Sequence, residues 1–573
     1  MKARRGAPAI VGAVLFAAAT LGLFFVSRGK WSDALIDSGS EWSVPDALAR
    51  GGLLYRDVVH WFGPFTPYFH SLFFRLLGSS FVTLAVAGAV AAVGVLFALF
   101  LVIRRLSGRS AALAWTALAV PALVFMPNAG GIFGMGHRVW HAAAFALAAV
   151  ALAGRPRKRP GRAAFLAGCF AGLSGLCRTE WGLATCAAVV LVVALCAQPR
   201  SVAWQAVLAA GAGWAAVFGG GVGLFLFLAG PGPVIVDGHL LLTGLPPETR
   251  TFLVRFSGIG DWPRGLAQMA FSGATWLGTA TAVALLSQGE AGRDSRRGRL
   301  VLLAGLFGVL AAAAAVGGGV GPVLFSAAPL VCAVALAAGV RRAPRPRAAQ
   351  LAAIGLLGLL LSYRRPFHIG DSAYVAPPLL FAFGCAAALL TRAVARERAA
   401  VSRRRLVTGF GAGMALLIAA AFGGRFLQYA ADERVPVRGT GGMLSARADE
   451  AAEIDRTAAA VRRGTSDHDG LVCFPEGQIL NFLSGRSVPI RRDLFIPGYL
   501  TKQNEGEVLE DLARHPPAAV VIWKRQAGEY GEGLFGETYG RSVRDWIQRE
   551  YAVHLLPGPK SNFDLAFRRA AAR

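Results

Sequence analysis

Charge is scarce in this chain. Of 573 residues only 16% are Asp, Glu, Lys or Arg, against 55% hydrophobic, and the mean hydropathy is +0.50. That balance excludes both an ordinary soluble domain and a disordered polymer. Cysteine is sparse as well. Six of the seven (Cys169, Cys177, Cys186, Cys196, Cys332 and Cys385) fall in or beside long apolar runs, and Cys473 stands alone in the C-terminal tail. A lone thiol excludes a disulfide within the tail, and with no CxxC pair the usual thiol motifs for metal or redox work are missing. Lysine supplies only 6 of the 59 basic residues, which with the Ala, Gly and Arg richness points to a GC-rich bacterial genome.

What is abundant is apolar sequence of membrane-crossing length. A helix needs about 20 apolar residues to traverse the hydrocarbon core. Thirteen candidate runs lie near residues 8–27, 81–103, 111–127, 139–154, 163–177, 182–197, 203–229, 265–287, 300–317, 320–340, 348–362, 375–391 and 406–424. Met1-Lys2-Ala3-Arg4-Arg5 ahead of the first run resembles the start of a signal peptide, but no small-residue cleavage site follows, and the run reads as an uncleaved anchor.

The formal net charge of +26 is unevenly placed. Short connections at Lys2–Arg5, Arg104–Arg109, Arg155–Arg162, Arg200, Arg293–Arg299 with the adjoining Glu290, Arg341–Arg347 and Arg392–Arg405 hold +23 of it, the opposite connections +2, and everything from Arg425 onward +1. Under the positive-inside rule the basic loops face the cytoplasm. With an odd number of spans the N-terminus is then cytoplasmic and the C-terminal segment faces outward from a bacterial cytoplasmic membrane. Basic residues that set topology, with no helix-turn-helix, zinc-finger spacing or RNA-binding motif beside them, argue against nucleic-acid binding.

Residues 430–573 are predicted to form a separate soluble domain. A helical stretch over Ser445–Arg463 is followed by a strand at Gly470–Phe474, helices at Glu476–Leu483 and Glu505–Arg514, a strong strand at Ala518–Trp523, a helix at Ser542–Arg549 and closing strands around Val553–Leu556 and Phe563–Phe567. The expected fold is therefore a polytopic α-helical membrane protein of about thirteen transmembrane helices over residues 1–429, with a small C-terminal α/β extracytoplasmic domain. The tail has neither a GxGxxG turn nor a P-loop, so it carries no nucleotide site. Pro475-Glu476-Gly477 would place Glu476 in a cleft at a strand end, although an acid at a helix start also has a plainly structural use.

The first outward loop, residues 28–80, carries five acids where acids outside the tail are few. Asp37 and Glu41 are four apart, so a helical turn puts both carboxylates on one face at the membrane surface. A carboxylate in a partly desolvated crevice has a raised proton affinity and can serve as general base toward a hydroxyl. The plainer alternative is that Asp37 caps the loop's first helix, with Glu41 on its solvated face.

An acid just after the first span, followed by Gly52-Leu53-Leu54-Tyr55-Arg56-Asp57 and Gly63-Pro64-Phe65-Thr66-Pro67-Tyr68, resembles the GT-C superfamily of polyprenyl-phosphate-sugar glycosyltransferases, in particular bacterial members of the protein mannosyltransferase and aminoarabinose transferase type. Gly175-Leu176-Cys177-Arg178-Thr179-Glu180 is similar to their short outward turn, and Tyr363-Arg364-Arg365 with Tyr374 and Pro377 to their late outward loop. Pro475-Glu476-Gly477 through Leu483-Ser484-Gly485-Arg486 is similar to their C-terminal domain. The resemblance implies inverting transfer of a sugar, on the outer face of the membrane, from a polyprenyl-phosphate-linked donor such as an undecaprenyl phosphate sugar to a hydroxyl of a glycan, lipid or protein. It implies Asp37 as the base, with Glu41 beside it.

Arg364 and Arg365 would lie where the lipid phosphate sits, because guanidinium forks suit phosphate oxygens. Arg138 and Arg178 are further phosphate candidates, and Tyr55, Asp57, His137, Glu180 and Tyr374 complete the expected substrate pocket. Each arginine also reads as a snorkelling interface residue, and Arg178 and Glu180 as neutralising one another. Many family members add an acid from the second outward loop, whereas Met126–Arg138 here has none. A divalent cation would therefore need Glu41, Asp57 or His137 as substitute ligands, and no metal or other cofactor is assigned.

Two other classes compete. A transporter would show repeat symmetry and ionisable residues near the bilayer midplane, but here the span interiors are nearly uncharged and the ionisable groups gather in outward loops. A non-catalytic scaffold presenting the tail leaves the acidic first loop without a role. Topology is open to direct test: reporter fusions after Arg159 and after Leu471 are expected to report opposite sides of the membrane, and a shared side would overturn the orientation.

Overall fold

A computed structural model describes residues 7–126, 132–133, 137–154, 160–196, 200–237, 328–342, 345–362, 376–396, 418–555 and 561–569, with isolated positions between. α1 (Ala7–Ser27) leads into two helices of the first loop, α2 (Ser38–Ala49) and α3 (Phe65–Leu77). The apolar helices continue with α4 (Phe81–Ser107), α5 (Arg109–Ala119), α6 (His137–Ala153), α7 (Pro160–Cys177), α8 (Thr179–Cys196), α9 (Arg200–Trp214) and α10 (Gly220–Ala229). They resume at α11 (Ala328–Val340), α12 (Pro346–Ser362) and α13 (Ala376–Arg396), and α14 covers 418–430. Among the described residues, four helical stretches, Ile10–Ser27, Phe81–Ser107, Thr179–Cys196 and Ala203–Ala229, are long and apolar enough to cross a membrane, and six shorter helices are apolar as well. The predicted runs near 265–287 and 300–317, and most of 406–424, lie outside the described residues.

The surface of this part suits lipid. Ile10, Val14, Leu15 and Phe25 of α1 are each more than half exposed, a pattern that water penalises and hydrocarbon does not. Helices in lipid gain little from apolar burial and associate instead through close backbone approach. The glycines do that work. A side-chain carbon at Gly168 or Gly213 would overlap the opposite backbone where α7 crosses α9, and one at Gly339 or Gly355 would do so where α11 crosses α12. These contacts make the protein a multi-pass helical bundle.

The C-terminal segment begins with a two-stranded ribbon, β1 (Val435–Pro436) and β2 (Ser445–Ala446), and the helix α15 (Ala448–Gly464). It continues through β3 (Leu471–Phe474), α16 (Ile479–Ser484), α17 (Glu505–Arg514), β4 (Ala519–Trp523), α18 (Arg541–Glu550), β5 (Tyr551–Leu555) and β6 (Phe563–Arg568). The sheet order is β3-β4-β6-β5, with β3 and β4 parallel and the other pairs antiparallel. β3 and β4 are apolar without alternation because both of their faces are covered. Leu471, Cys473, Ala519 and Val521 pack on one side with Ile454, Ala458 and Val461 of α15. Val472, Phe474, Val520 and Ile522 pack on the other with Val508 and Leu512 of α17 and Val543 and Ile547 of α18.

The first of these two cores is shared. Ala34, Leu35, Trp42, Phe74, Phe81 and Leu84 of the first loop and the start of α4 belong to it. Polar ties reinforce the junction: Arg491 donates to the carbonyls of Arg56 and Tyr55, both at 2.7 Å, and its own carbonyl accepts from Val59 N–H at 2.8 Å. Gly39 of α2 sits so close to Gln478 and Ile479 that a side-chain carbon there would overlap their backbone. Gly39→Val is therefore expected to lower stability by about 1–3 kcal/mol, the usual range for overpacking a rigid contact. Thermal unfolding of the detergent-solubilised protein checks this, and an unchanged melting temperature would show that the junction yields.

Candidate active site

α2 starts from a preformed turn. The Asp33 carboxylate accepts from the backbone N–H groups of Leu35 (2.8 Å) and Ile36 (3.0 Å), an Asx-type turn that aims the chain into the helix. The other end is held by Arg75 of α3, which donates to the carbonyls of Leu48 (2.8 Å) and Ala49 (3.2 Å). Asp37 occupies the N-cap position at φ +60°, in the left-handed region, and its side chain makes no capping bond. A non-glycine residue there carries about 1–3 kcal/mol of strain, which persists only when surrounding packing dictates it. The simple capping role is therefore absent.

One stripe of α2, formed by Asp37, Ser40, Glu41, Val44 and Pro45, lines a cleft whose free space is about 710 Å³ counted out to its open mouth. The following stretch of the first loop supplies His60, Phe62, Thr66 and His70; α6 supplies Arg138; the C-terminal segment supplies Arg492, Asp493 and Tyr499. The cleft is thus built by three parts of the chain far apart in sequence.

Glu41 and Arg138 form an ion pair across it, each side chain 17% exposed. The Phe62 ring lies within cation–π reach of two guanidinium groups, with Arg138 3.9 Å and Arg178 5.2 Å from its centre, which gives Arg138 a second contact beside Glu41. Asp493 is buried and accepts from the Ser43 hydroxyl of α2. Burial raises its pKa above the usual carboxylate range, while hydrogen bonds from Ser43 and Ser40 and the charge of Arg492 act in the opposite sense. Burial, with Arg138 nearby, pushes His60 down to about 3, so this imidazole is neutral at physiological pH.

Of the residues singled out in the sequence, Asp37, Glu41 and Arg138 come together in the cleft. His137 lines an adjoining cavity that Glu41 also borders. Arg178 pairs with Glu180 at 2.6 Å beside the cleft and reaches it only through Phe62. Tyr55 and Asp57 are placed elsewhere: the Tyr55 hydroxyl donates to the Phe62 carbonyl at 2.7 Å within an apolar cluster, and Asp57 binds Arg56 and the Leu53 N–H at the surface. Arg364, Arg365 and Tyr374 lie outside the described residues. Glu476 is buried in an ion pair with Arg525 and does not line the cleft. Among the described residues no three His, Cys, Asp or Glu side chains gather to hold a metal ion.

Sequence reasoning missed His60, His70, Arg492, Asp493 and Tyr499. A signal for two of them was present: Arg491-Arg492-Asp493 interrupts an otherwise apolar stretch between Ile490 and Phe495, and three consecutive charges there need a reason.

No family model and no curated protein matches the sequence. Solved structures do. ArnT from Cupriavidus metallidurans in the apo state matches 98% of this chain and 98% of its own length with a TM-score of 0.54 at 11% identity. The same protein bound to undecaprenyl phosphate matches over the same shares with a TM-score of 0.52 at 12% identity. The Archaeoglobus fulgidus oligosaccharyltransferase tethered to an acceptor peptide with the NVT sequon matches 97% of this chain and 74% of its own with a TM-score of 0.52 at 13% identity. Across nearly its whole length the chain has the fold these structures share.

Proposed function

We propose that this protein is a membrane glycosyltransferase that moves a sugar from a polyprenyl-phosphate carrier to a hydroxyl acceptor on the outer face of a bacterial cytoplasmic membrane. The observation that carries the reading is the cleft itself. On a fold shared with a protein seen bound to undecaprenyl phosphate, the first loop and the C-terminal segment enclose a water-accessible space lined by carboxylates and arginines. The C-terminal segment is then an α/β domain on the outward side, the side that the distribution of basic loops assigns to it.

The three carboxyl groups of the cleft divide the chemistry. Glu41 is engaged by Arg138 and serves to hold that guanidinium in place. Asp493 has its proton affinity raised by burial and its carboxyl group engaged by the Ser43 hydroxyl, which gives it a positioning role. Asp37 is the base: its carboxylate takes the acceptor's hydroxyl proton, the acceptor oxygen bonds to the anomeric carbon, and the bond from that carbon to the phosphate oxygen breaks with inversion. The lipid phosphate leaves as an anion that needs positive charge more than it needs a proton. Arg492 and Arg138 supply that charge in the cleft, with Arg364 and Arg365 as further candidates from the late outward loop. Orientation of both partners in one crevice provides the rest.

The decisive assay is transfer from a panel of radiolabelled undecaprenyl-phosphate sugars by membranes containing the protein. Asp37→Asn is expected to lower transfer about 10²- to 10⁴-fold, the usual contribution of a general base, and full activity in the variant would remove Asp37 from the role. The raised proton affinity of Asp493 has its own signature. Because its folded pKa is raised, the wild type retains this group's contribution below the ordinary carboxylate range and loses it as pH rises through the raised value. Asp493→Asn cannot ionise and is expected to show a flatter dependence of melting temperature on pH across that window. Parallel curves for the two proteins would show that Asp493 ionises normally.

A further inference from the structure

Two imidazoles, one lining the cleft and one lining the adjoining cavity, take no part in the transfer derived above. His70 of α3 is 1% exposed, lines the cleft, and places Nε2 2.9 Å from Nδ1 of His137, the first residue of α6, itself 6% exposed. Its other nitrogen, Nδ1, has no hydrogen-bonding partner. One proton lies between the two rings, and its position decides what His70 offers. Nε2 of His137 makes no well-aligned hydrogen bond, but the polar group it faces is the Ile132 carbonyl, which can only accept. A proton therefore belongs on Nε2 of His137, its Nδ1 is a lone pair, and Nε2–H of His70 donates to it. This arrangement leaves Nδ1 of His70 as a bare acceptor.

Such a nitrogen discriminates among the groups a glycosyltransferase cleft receives. An ionised phosphate or carboxylate oxygen has no proton to give and meets the lone pair unfavourably. A hydroxyl donates to it without any change of charge. The neighbouring Thr66 does not compete, because its hydroxyl is engaged with Nδ1 of His141 at 3.0 Å.

We propose that His70 is a specificity-determining residue, accepting at Nδ1 a hydrogen bond from a hydroxyl of a sugar ring bound in the cleft, with His137 as the positioning residue that fixes its tautomer. The inference rests on the glycosyltransferase reading. Burial holds the His70 pKa well below its ordinary value, with His137, His141, His60 and Arg138 acting in the same sense, so the acceptor stays neutral throughout the physiological range. The hydroxyl belongs either to the transferred sugar or to a carbohydrate acceptor, which present the same chemistry.

The test compares full-length wild type, His70→Asn, His70→Gln and His137→Leu in membranes. It uses the undecaprenyl-phosphate sugar that the wild type transfers, its monodeoxy analogues, and monodeoxy versions of the acceptor saccharide. Asparagine carries an amide oxygen near the position of Nδ1, whereas glutamine places its amide near Nε2. His70→Gln is expected to lose about 10- to 100-fold in kcat/KM, the range for a buried hydrogen bond left unmade. His70→Asn is expected to recover part of that loss, and His137→Leu, which leaves His70 in place, to lose a similar factor. One monodeoxy substrate should be poor for the wild type and no poorer than its parent for His70→Gln. If that substrate is a donor analogue, the hydroxyl is on the transferred sugar; if an acceptor analogue, on the acceptor. Unchanged kcat/KM in His70→Gln, or monodeoxy penalties that persist undiminished in it, would overturn the proposal while leaving the glycosyltransferase reading intact. Absence of transfer by the wild type from every donor would overturn that reading, and this inference with it.

Discussion

The contact of α2 with the C-terminal segment is the constraint on which the site depends. Gly39 lets the helix lie directly against Gln478 and Ile479 with no side chain between, and both carboxylates that the first loop brings to the cleft flank this contact. Asp37 precedes Gly39 by two residues and Glu41 follows it by two. Trp42 anchors the other side of the helix, donating to the Ser79 hydroxyl at 2.8 Å and packing edge-on against Phe482. A helix of twelve residues is marginal in isolation, so its position is set by what it packs against. The backbone strain at Asp37 is held by the same contacts.

A second constraint links this assembly to the membrane helices. Arg138 belongs to α6, and its pairing with Glu41 ties the bundle to α2 through a largely dehydrated ion pair. Such a pair adds little net stability, since desolvation offsets most of the attraction, but removing one partner strands the other charge. Its value here is positional. Phe62, within cation–π reach of both Arg138 and Arg178, extends the link to the α7–α8 turn, where the approach of Gly63 to the Leu176 carbonyl allows the loop to sit against the helix ends. The first loop is therefore clamped from the bundle below and from the sheet above.

The membrane part was readable because crossing lipid imposes a length and a composition that few other demands imitate. Every predicted apolar run that falls on described residues is helical. The strand and helix order of the tail was readable for a similar reason: β3 and β4 are short continuous apolar runs, and α15 and α17 show period-3.6 patterning. The i, i+4 spacing of Asp37 and Glu41 indicated a shared face, and both do line the cleft. What local pattern could not convey was assembly. Asp493 reaches the cleft from about 450 residues beyond α2, and its partner Ser43 has no sequence feature that distinguishes it. The shared core joining Trp42 and Phe74 to Leu471 and Val521 was equally beyond local pattern, because hydrophobic patterning shows that a face is buried and not what buries it.

Some buried polar groups of the C-terminal segment are well provided for. Glu453 accepts from the Ser561 hydroxyl, the Asn562 backbone and the Asn562 side chain at 2.6 to 3.0 Å, and Asn481 donates to the carbonyls of Leu471 and Arg486 at 2.8 and 3.2 Å. Around the cleft, His60, His70, His137 and His141 each retain a buried ring nitrogen without a hydrogen-bonding partner. In the C-terminal segment Glu476 has one oxygen on Arg525 and the other unmatched, and buried side-chain atoms of Gln478, Thr501 and Arg544 likewise lack a hydrogen-bonding partner. Groups left unsatisfied inside a fold are a liability unless something else completes them. At the cleft they sit where the backbone is strained, where three carboxyl groups and two guanidiniums meet, and where three distant parts of the chain converge.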